Sequence, residues 1–170
     1  MNKHYILETE RLQLRQFTLD DAGFIIELLN SPGWIQFIGD RNVKTREHAV
    51  NYLKSGPLKS YVQNGFGLSL VELKDSHNAI GMCGIIKRDN METPDIGFAF
   101  LPAHHGKGYA LEIAEATLLY AKETLGISKV AAITKPGNAK SIRLLRKIGL
   151  QFVQTFSFPD SSEELLLYSI

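Results

Sequence analysis

A strand-like run from Asp95 to Leu101 passes through Pro102, Ala103, His104 and His105 and the loop Gly106-Lys107-Gly108 straight into the strongest helical pattern of the chain. In that pattern Leu111, Ala114, Leu118, Ala121 and Leu125 recur at steps of three and four, one face of a 3.6-residue repeat, and Gly126 follows as a stop. Such a succession restricts the chain to folds that mix strands with helices. It also sets a helix N-terminus beside a flexible backbone. The first N–H groups of a helix have no internal partner and carry partial positive charge, so this junction suits an anion. Gly106 and Gly108 let the backbone approach a pyrophosphate and Lys107 adds a charged contact, although the same glycines would equally serve a packing turn. The spacing fits neither the Walker A loop nor the G-x-G-x-x-G fingerprint, which points away from ATP and NAD.

Periodicity divides the rest of the chain into short elements. Arg11 to Arg15 alternates polar with apolar, as a half-buried strand does. Thr18 with Asp20 and Asp21 predicts an N-cap for a helix carrying Phe24, Ile25, Leu28 and Leu29, which Ser31, Pro32 and Gly33 would break. A second helix is expected from about Thr45, with Ala49, Tyr52 and Leu53 inward. Strands at 67–73, 79–86 and 95–101 form a meander, followed by a strand at 129–134, a helix at 139–148 and strands at 150–156 and 165–170. The order implies a mixed α/β sheet in one domain spanning residues 1–170, with 44% hydrophobic residues to fill its core.

No run approaches the roughly 18 to 20 apolar residues of a membrane span, and Met1-Asn2-Lys3-His4-Tyr5 is not a secretory leader, so a soluble, cytoplasmic protein is expected. Cys83 is a single thiol and predicts neither a disulfide nor a cysteine-rich zinc site. The five histidines show no ligand spacing, and no metal is expected. A net charge of +1 argues against a nucleic-acid-coated protein, but the charge is unevenly spread. Between Glu123 and Asp160 lie Lys129, Lys135, Lys140, Arg143, Arg146 and Lys147 and no acid, so that segment is +6 and the remainder, with 13 basic against 18 acidic residues, is −5. The basic segment reads either as a solvated helix face or as a lobe facing phosphates.

Three segments, Asp95-Ile-Gly-Phe, His105-Gly-Lys-Gly-Tyr-Ala and Asn138-Ala-Lys-Ser-Ile-Arg-Leu-Leu-Arg-Lys-Ile-Gly-Leu150, resemble the acetyl-CoA-binding motifs of the GNAT N-acetyltransferases. The opening Thr9-Glu10-Arg11-Leu12-Gln13-Leu14-Arg15 resembles the branch that holds the Rim-type ribosomal-protein N-terminal acetyltransferases. The resemblance implies a mostly antiparallel sheet with splayed fourth and fifth strands, and acetyl-CoA as co-substrate without a metal. It implies that His105, Gly106, Lys107, Gly108, Tyr109 and Ala110 hold the pyrophosphate, and that Asn138 binds the pantetheine or positions a water. Backbone N–H groups near Phe100 and Leu101 would face the thioester oxygen. Many members carry a tyrosine acid where this chain has Leu145; the Rim-like branch resembles this chain in having Ser141, which becomes the candidate acid. Asp95 is the candidate base, though after Pro94 it also suits a turn, and His104 and His105 are the other titratable groups nearby.

Trp34 and Phe37 would line the acceptor pocket or belong to the core. The implied activity is acetyl transfer to a primary amine, such as a peptide or protein N-terminus or a small-molecule amine, by direct attack on the thioester. A non-catalytic acyl-CoA-binding module is the alternative. Neither a membrane nor direct nucleic-acid contact is implied, and the assembly is a monomer or a homodimer.

Overall fold

A computed structural model describes residues 2–170. Its centre is an eight-stranded sheet in the order β1-β2-β3-β4-β5-β6-β8-β7. The strands are β1 (Tyr5–Glu8), β2 (Leu12–Arg15), β3 (Leu68–Leu73), β4 (Ala79–Ile86), β5 (Asp95–Phe100), β6 (Ala131–Thr134), β7 (Gln151–Phe156) and β8 (Leu165–Ser169). All neighbours pair antiparallel except β5 and β6, which are parallel and share the single register pair Asp95↔Ala131. With the strand at Arg11–Arg15 counted first, these are the fourth and fifth strands expected to splay.

The helices are α1 (Ala22–Leu29), α2 (Pro32–Phe37), α3 (Arg46–Leu53), α4 (Lys59–Asn64), α5 (Tyr109–Glu123) and α6 (Ala139–Lys147). Alternation along the strands separates two cores on opposite faces of the sheet. Cys83, Ile85 and Ile96 join Ile113, Ala114 and Ala121 of α5 and Leu145 of α6; Leu70 and Met82 join Ile25, Leu28 and Leu29 of α1 and Ala49 and Leu53 of α3. Each fully buried Leu or Ile contributes about 1.5 to 3 kcal/mol to this packing.

Three local elements go beyond the sequence reading. Strand β1 has no counterpart in the sequence reading; its four residues carry too little alternation, and it is held by pairing with β2. Ser31 and Pro32 do end α1, which stops at Leu29, but the break is brief: Ser31 is extended, and Pro32 takes the first helical position, where its missing N–H costs nothing, and opens α2. The third helix continues through a wide turn at Lys54–Leu58, containing Pro57, into α4. A Ser-Gly-Pro run reads as a loop, but burial of Pro57 and Leu53 keeps the chain coiled.

A buried ion-pair network ties the N-terminal strands to α1. Arg15 donates to Glu72 at 3.0 Å and to both carboxylate oxygens of Asp21 at 2.9 and 2.8 Å, and Asp21 in turn accepts from the Thr18 backbone at 2.7 Å in a capping box. Glu72 is fully buried and also accepts from the Tyr5 hydroxyl at 2.6 Å. Burial alone would push its carboxyl up, but Tyr5, Arg15 and His77 outweigh that and hold it below the ordinary carboxylate range. A carboxyl depressed in the folded state adds stability above its unfolded pKa, about 4.3, and loses it as pH falls through the folded value. Melting temperature therefore falls on acidification below about pH 4.3, and Glu72→Gln makes that fall shallower; equal slopes for the two proteins in thermal scans between pH 6 and pH 3 would exclude Glu72 as its source.

Candidate active site

The parallel pair β5 and β6 creates the site. Each strand runs directly into a helix on the same face, β5 into α5 and β6 into α6, so both helix N-termini stand at the carboxyl ends of the strands. Ligands of α/β sheets bind at such a point. Ala131 N–H donates to the Pro94 carbonyl at 2.9 Å, and beyond this rung β6 has no further register pair with β5 while its other edge stays paired with β8 from Ala131 to Thr134. A wedge opens toward Phe100.

Backbone alternation says which groups face the wedge. Leu101 N–H donates to the Ile80 carbonyl at 2.9 Å, so in this antiparallel pair Asp95, Gly97 and Ala99 also bond toward β4. The N–H groups of Phe98 and Phe100 point the opposite way, into the gap. Of the two donors expected from sequence, Phe100 therefore faces the wedge and Leu101 does not, because its N–H is already used. Phe98, which the sequence reading passed over, has the parity of Phe100 and could have been found by counting in twos. The Phe100 carbonyl accepts from His105 Nε2 at 2.9 Å, which makes that nitrogen the protonated one and ties the ring to the end of β5.

Beyond His105, Gly106 and Gly108 adopt φ of +74° and +80°, a conformation that L side chains avoid, and Gly108 caps α5. From Gly106 to Leu111 no backbone N–H has an acceptor within the described residues; the first helical bond runs from Glu112 N–H to the Gly108 carbonyl at 3.1 Å. Consecutive free donors at the positive end of a fifteen-residue helix fit a pyrophosphate. Lys107 is exposed beside them.

Across the wedge, Asn138 caps α6 by accepting from Ser141 N–H at 3.2 Å, which commits its carbonyl oxygen and leaves its amide NH₂ for a ligand. The Ser141 hydroxyl, half-buried in the first turn, has no hydrogen-bond partner among the described residues. Leu145 is buried in the core, so that position offers no donor. Asp95 lies at the closed end of the wedge, 1% exposed, with its two oxygens accepting from Arg88 Nε at 2.8 Å and Nη2 at 3.2 Å. Burial raises its pKa above the ordinary value although Arg88 opposes the shift. Arg88, in an irregular loop, carried no periodic signal by which to find it.

The other candidates fall into different environments. Trp34 is 6% exposed and belongs to the core cluster with Phe17, Ile25, Leu28 and Leu101, so of the two readings open to it, pocket wall or core, the structure favours the core, α2 turning the indole inward. Phe37, half-buried at the end of α2, stays near the surface, and Lys135 just beyond β6 reaches the neighbouring Gln36 carbonyl at 3.4 Å, bringing α2 to the mouth of the wedge. His104 Nδ1 is buried without a hydrogen-bond partner among the described residues, and burial together with Lys107 lowers its pKa. Cys83 is fully buried against Thr117, and burial pushes its thiol up to about 12. No helix among the described residues is long and apolar enough to cross a membrane.

Comparison with known proteins agrees with this architecture. Residues 11–151 match the family described as Acetyltransferase (GNAT) domain. The uncharacterized protein YkkB of Bacillus subtilis is 32% identical over 161 residues, covering 91% of this chain and 90% of its own length. A GNAT-family acetyltransferase from Bacillus anthracis superposes with a TM-score of 0.80 at 27% identity, covering 98% of this chain and 97% of that one. The RimL ribosomal L7/L12 alpha-N-protein acetyltransferase, solved in complex with coenzyme A, shares the fold with a TM-score of 0.82 at 13% identity, covering 98% and 97%. A glycine cradle at the head of α5, a wedge between the two parallel strands and a match across most of the chain lead to one conclusion: this protein belongs to the GNAT family and is an acetyltransferase.

Proposed function

We propose that the protein transfers the acetyl group of acetyl-CoA to a primary amine by direct attack, and that its acceptor is an α-amine such as a peptide or protein N-terminus. The observation that carries the reading is the wedge: free N–H groups of Phe98 and Phe100 face a gap whose mouth holds the donors of Gly106 to Leu111. Acetyl-CoA supplies a thioester and a pyrophosphate. In this reading Gly106 to Ala110 hold the pyrophosphate, the Asn138 amide steadies the arm between, and Phe98 or Phe100 N–H stabilises charge developing on the thioester oxygen. One such donor is worth about 3 to 4 kcal/mol in the transition state.

The chain's own nucleophile is unsuitable. A thiol with a pKa of about 12 is protonated at neutral pH, and Cys83 has no exposed surface, so an acyl-cysteine step has no support. Asp95 has no open path to an amine, but its raised pKa and its place at the base of the wedge suit it to accept a proton through water. Ser141 would return a proton to the departing thiolate. An α-amine, with a pKa of about 7.7 to 8.0, is partly neutral already and needs less help than a lysine at about 10.4.

The test is release of free CoA thiol from acetyl-CoA in the presence of peptides with free N-termini, polyamines and aminoglycosides, with mass spectrometry to locate the acetyl group. Silence with every amine sinks the proposal, and lysine-only acetylation sinks its α-amine part. Asp95→Asn is expected to lower kcat about tenfold at pH 7, with the loss shrinking as pH rises above the amine pKa and the nucleophile becomes neutral unaided. Ser141→Ala is expected to lower kcat by a similar factor with KM for acetyl-CoA unchanged. An Asp95→Asn rate equal to wild type at every pH would leave the carboxylate only its bond to Arg88.

A further inference from the structure

We infer that Arg11 is a positioning residue for the pyrophosphate cradle, acting through the Lys107 carbonyl, with Thr9 and Glu112 holding it in place. The inference rests on the acetyltransferase reading of that cradle and assigns a task to the Thr9-Glu10-Arg11 segment, to which that reading gave none.

Arg11 lies 96 positions before Lys107 in the chain, yet its Nη1 donates to the Lys107 carbonyl at 2.9 Å. Its Nε donates to Glu112 Oε2 at 2.6 Å, and its backbone N–H and the Thr9 hydroxyl donate to Glu112 Oε1 at 2.9 and 2.6 Å. The guanidinium carbon sits 4.6 Å from the Tyr109 ring centroid, and a Cβ built on Gly108 would come within 3.3 Å of Nη2. Arg11 therefore lies directly behind the loop and touches 107, 108, 109 and 112. Among the described residues no other side chain makes a hydrogen bond to the backbone between Gly106 and Leu111.

Planarity of the peptide bond converts this contact into a statement about the front of the loop. In a trans peptide the C=O and the following N–H point in opposite directions. Anchoring the Lys107 carbonyl on Arg11 therefore aims the Gly108 N–H away from Arg11, toward the open side where the other free donors lie. Gly108, at positive φ and without a Cβ, forms one side of this peptide and lowers the barrier to its flipping, so an outside clamp is what keeps its donor aimed. The same contacts deal with Glu112. A carboxylate in the first turn favours the helix dipole but repels an anionic ligand; with Thr9 and Arg11 bonded to it, its charge is matched on the spot.

A merely structural arginine would affect all substrates alike, whereas a clamp on Gly108 N–H affects only those with a pyrophosphate. S-acetylpantetheine carries the same thioester without pyrophosphate or nucleotide and separates the two. For Arg11→Gln the KM for acetyl-CoA is expected to rise about tenfold, the loss of one charge-assisted contact, while kcat falls less than twofold and kcat/KM for S-acetylpantetheine stays within twofold of wild type. Arg11→Lys, which keeps a donor but cannot serve the carbonyl and Glu112 together, is expected to raise the KM about threefold, and it carries the test if the glutamine variant does not fold.

Equal losses with both thioesters, or an unchanged KM for acetyl-CoA, overturn the inference. Full recovery of that KM in Arg11→Gln/Glu112→Gln also overturns it, because the effect would then be charge repulsion rather than peptide orientation. Calorimetry with CoA keeps the two levels apart. A wild type that binds no CoA overturns the acetyltransferase reading and this one with it; a wild type and an Arg11→Gln variant that bind CoA equally well overturn this inference alone.

Discussion

Gly108→Val lowers kcat/KM for acetyl-CoA by about a hundredfold and leaves the melting temperature nearly unchanged. The residue sits at φ +80°, where a β-branched side chain costs about 1 to 3 kcal/mol, and the ideal Cβ would meet Arg11 Nη2 at 3.3 Å. The loop relieves this by rotating out of the left-handed region, which turns the 107–108 peptide and misaims the donors around it. Because the loop is exposed and packs little apolar surface, global stability hardly notices. Steady-state kinetics with acetyl-CoA and a thermal melt check both halves. A Gly108→Val protein with wild-type kinetics would show that the cradle does not depend on this conformation; Gly108→Ala, with the same φ problem and a smaller side chain, should fall between.

Gly84→Ala has its largest effect on the fold. Gly84 lies in the middle of β4, paired with Leu68 and Gly97, and a Cβ there would stand 2.3 Å from the Gly67 carbonyl oxygen and 2.8 Å from the Leu68 Cα. Both obstacles are backbone and cannot rotate aside, so the β3–β4 ladder must part. Overpacking of this kind costs about 3 kcal/mol, and in a protein of this size that lowers Tm by roughly 10 °C. Gly33→Ala is the control, because nothing lies within 4 Å of its added Cβ. Equal melting temperatures for the two variants would show that the strands can separate at Gly84 without loss.

Legibility of the fold in the sequence followed the range of the interactions. Helix α5 was recognisable because Ala114 and Ala121 recur at its own period, although the fully buried stripe runs through Ile113 and Thr117 rather than through Leu111 and Leu118. Strand β4 matched its expected bounds because Lys74 to Asn78 marks the hairpin locally. Strand β1 and helix α4 were not legible, since one depends on a partner strand and the other on burial of a proline that locally signals a loop.

The candidate site divides the same way. Gly106, Gly108 and the helix after them were visible as one continuous segment. The positions of Trp34, Leu101 and Asp95 were not: whether an indole faces a pocket or a core, whether an N–H is free, and whether a carboxylate is exposed all depend on neighbours distant in sequence. Ile80 takes the Leu101 N–H, and Arg88 takes the Asp95 carboxylate.

By itself the sequence determined that a strand meets a helix through glycines, that free donors gather at that junction, and that the chain carries the GNAT motifs in order. These are local facts, set by periodicity, by backbone freedom and by the unpaired first turn of a helix. Tertiary structure alone decided that β5 and β6 share one rung before parting, which turns the junction into one wall of a wedge, and that Arg11 arrives behind the loop from the far side of the sheet. Those outcomes come from strand order: β6 sits between β5 and β8, held along its length by β8 but by β5 at one rung only, and β2 stands three places from β5 with β3 and β4 between.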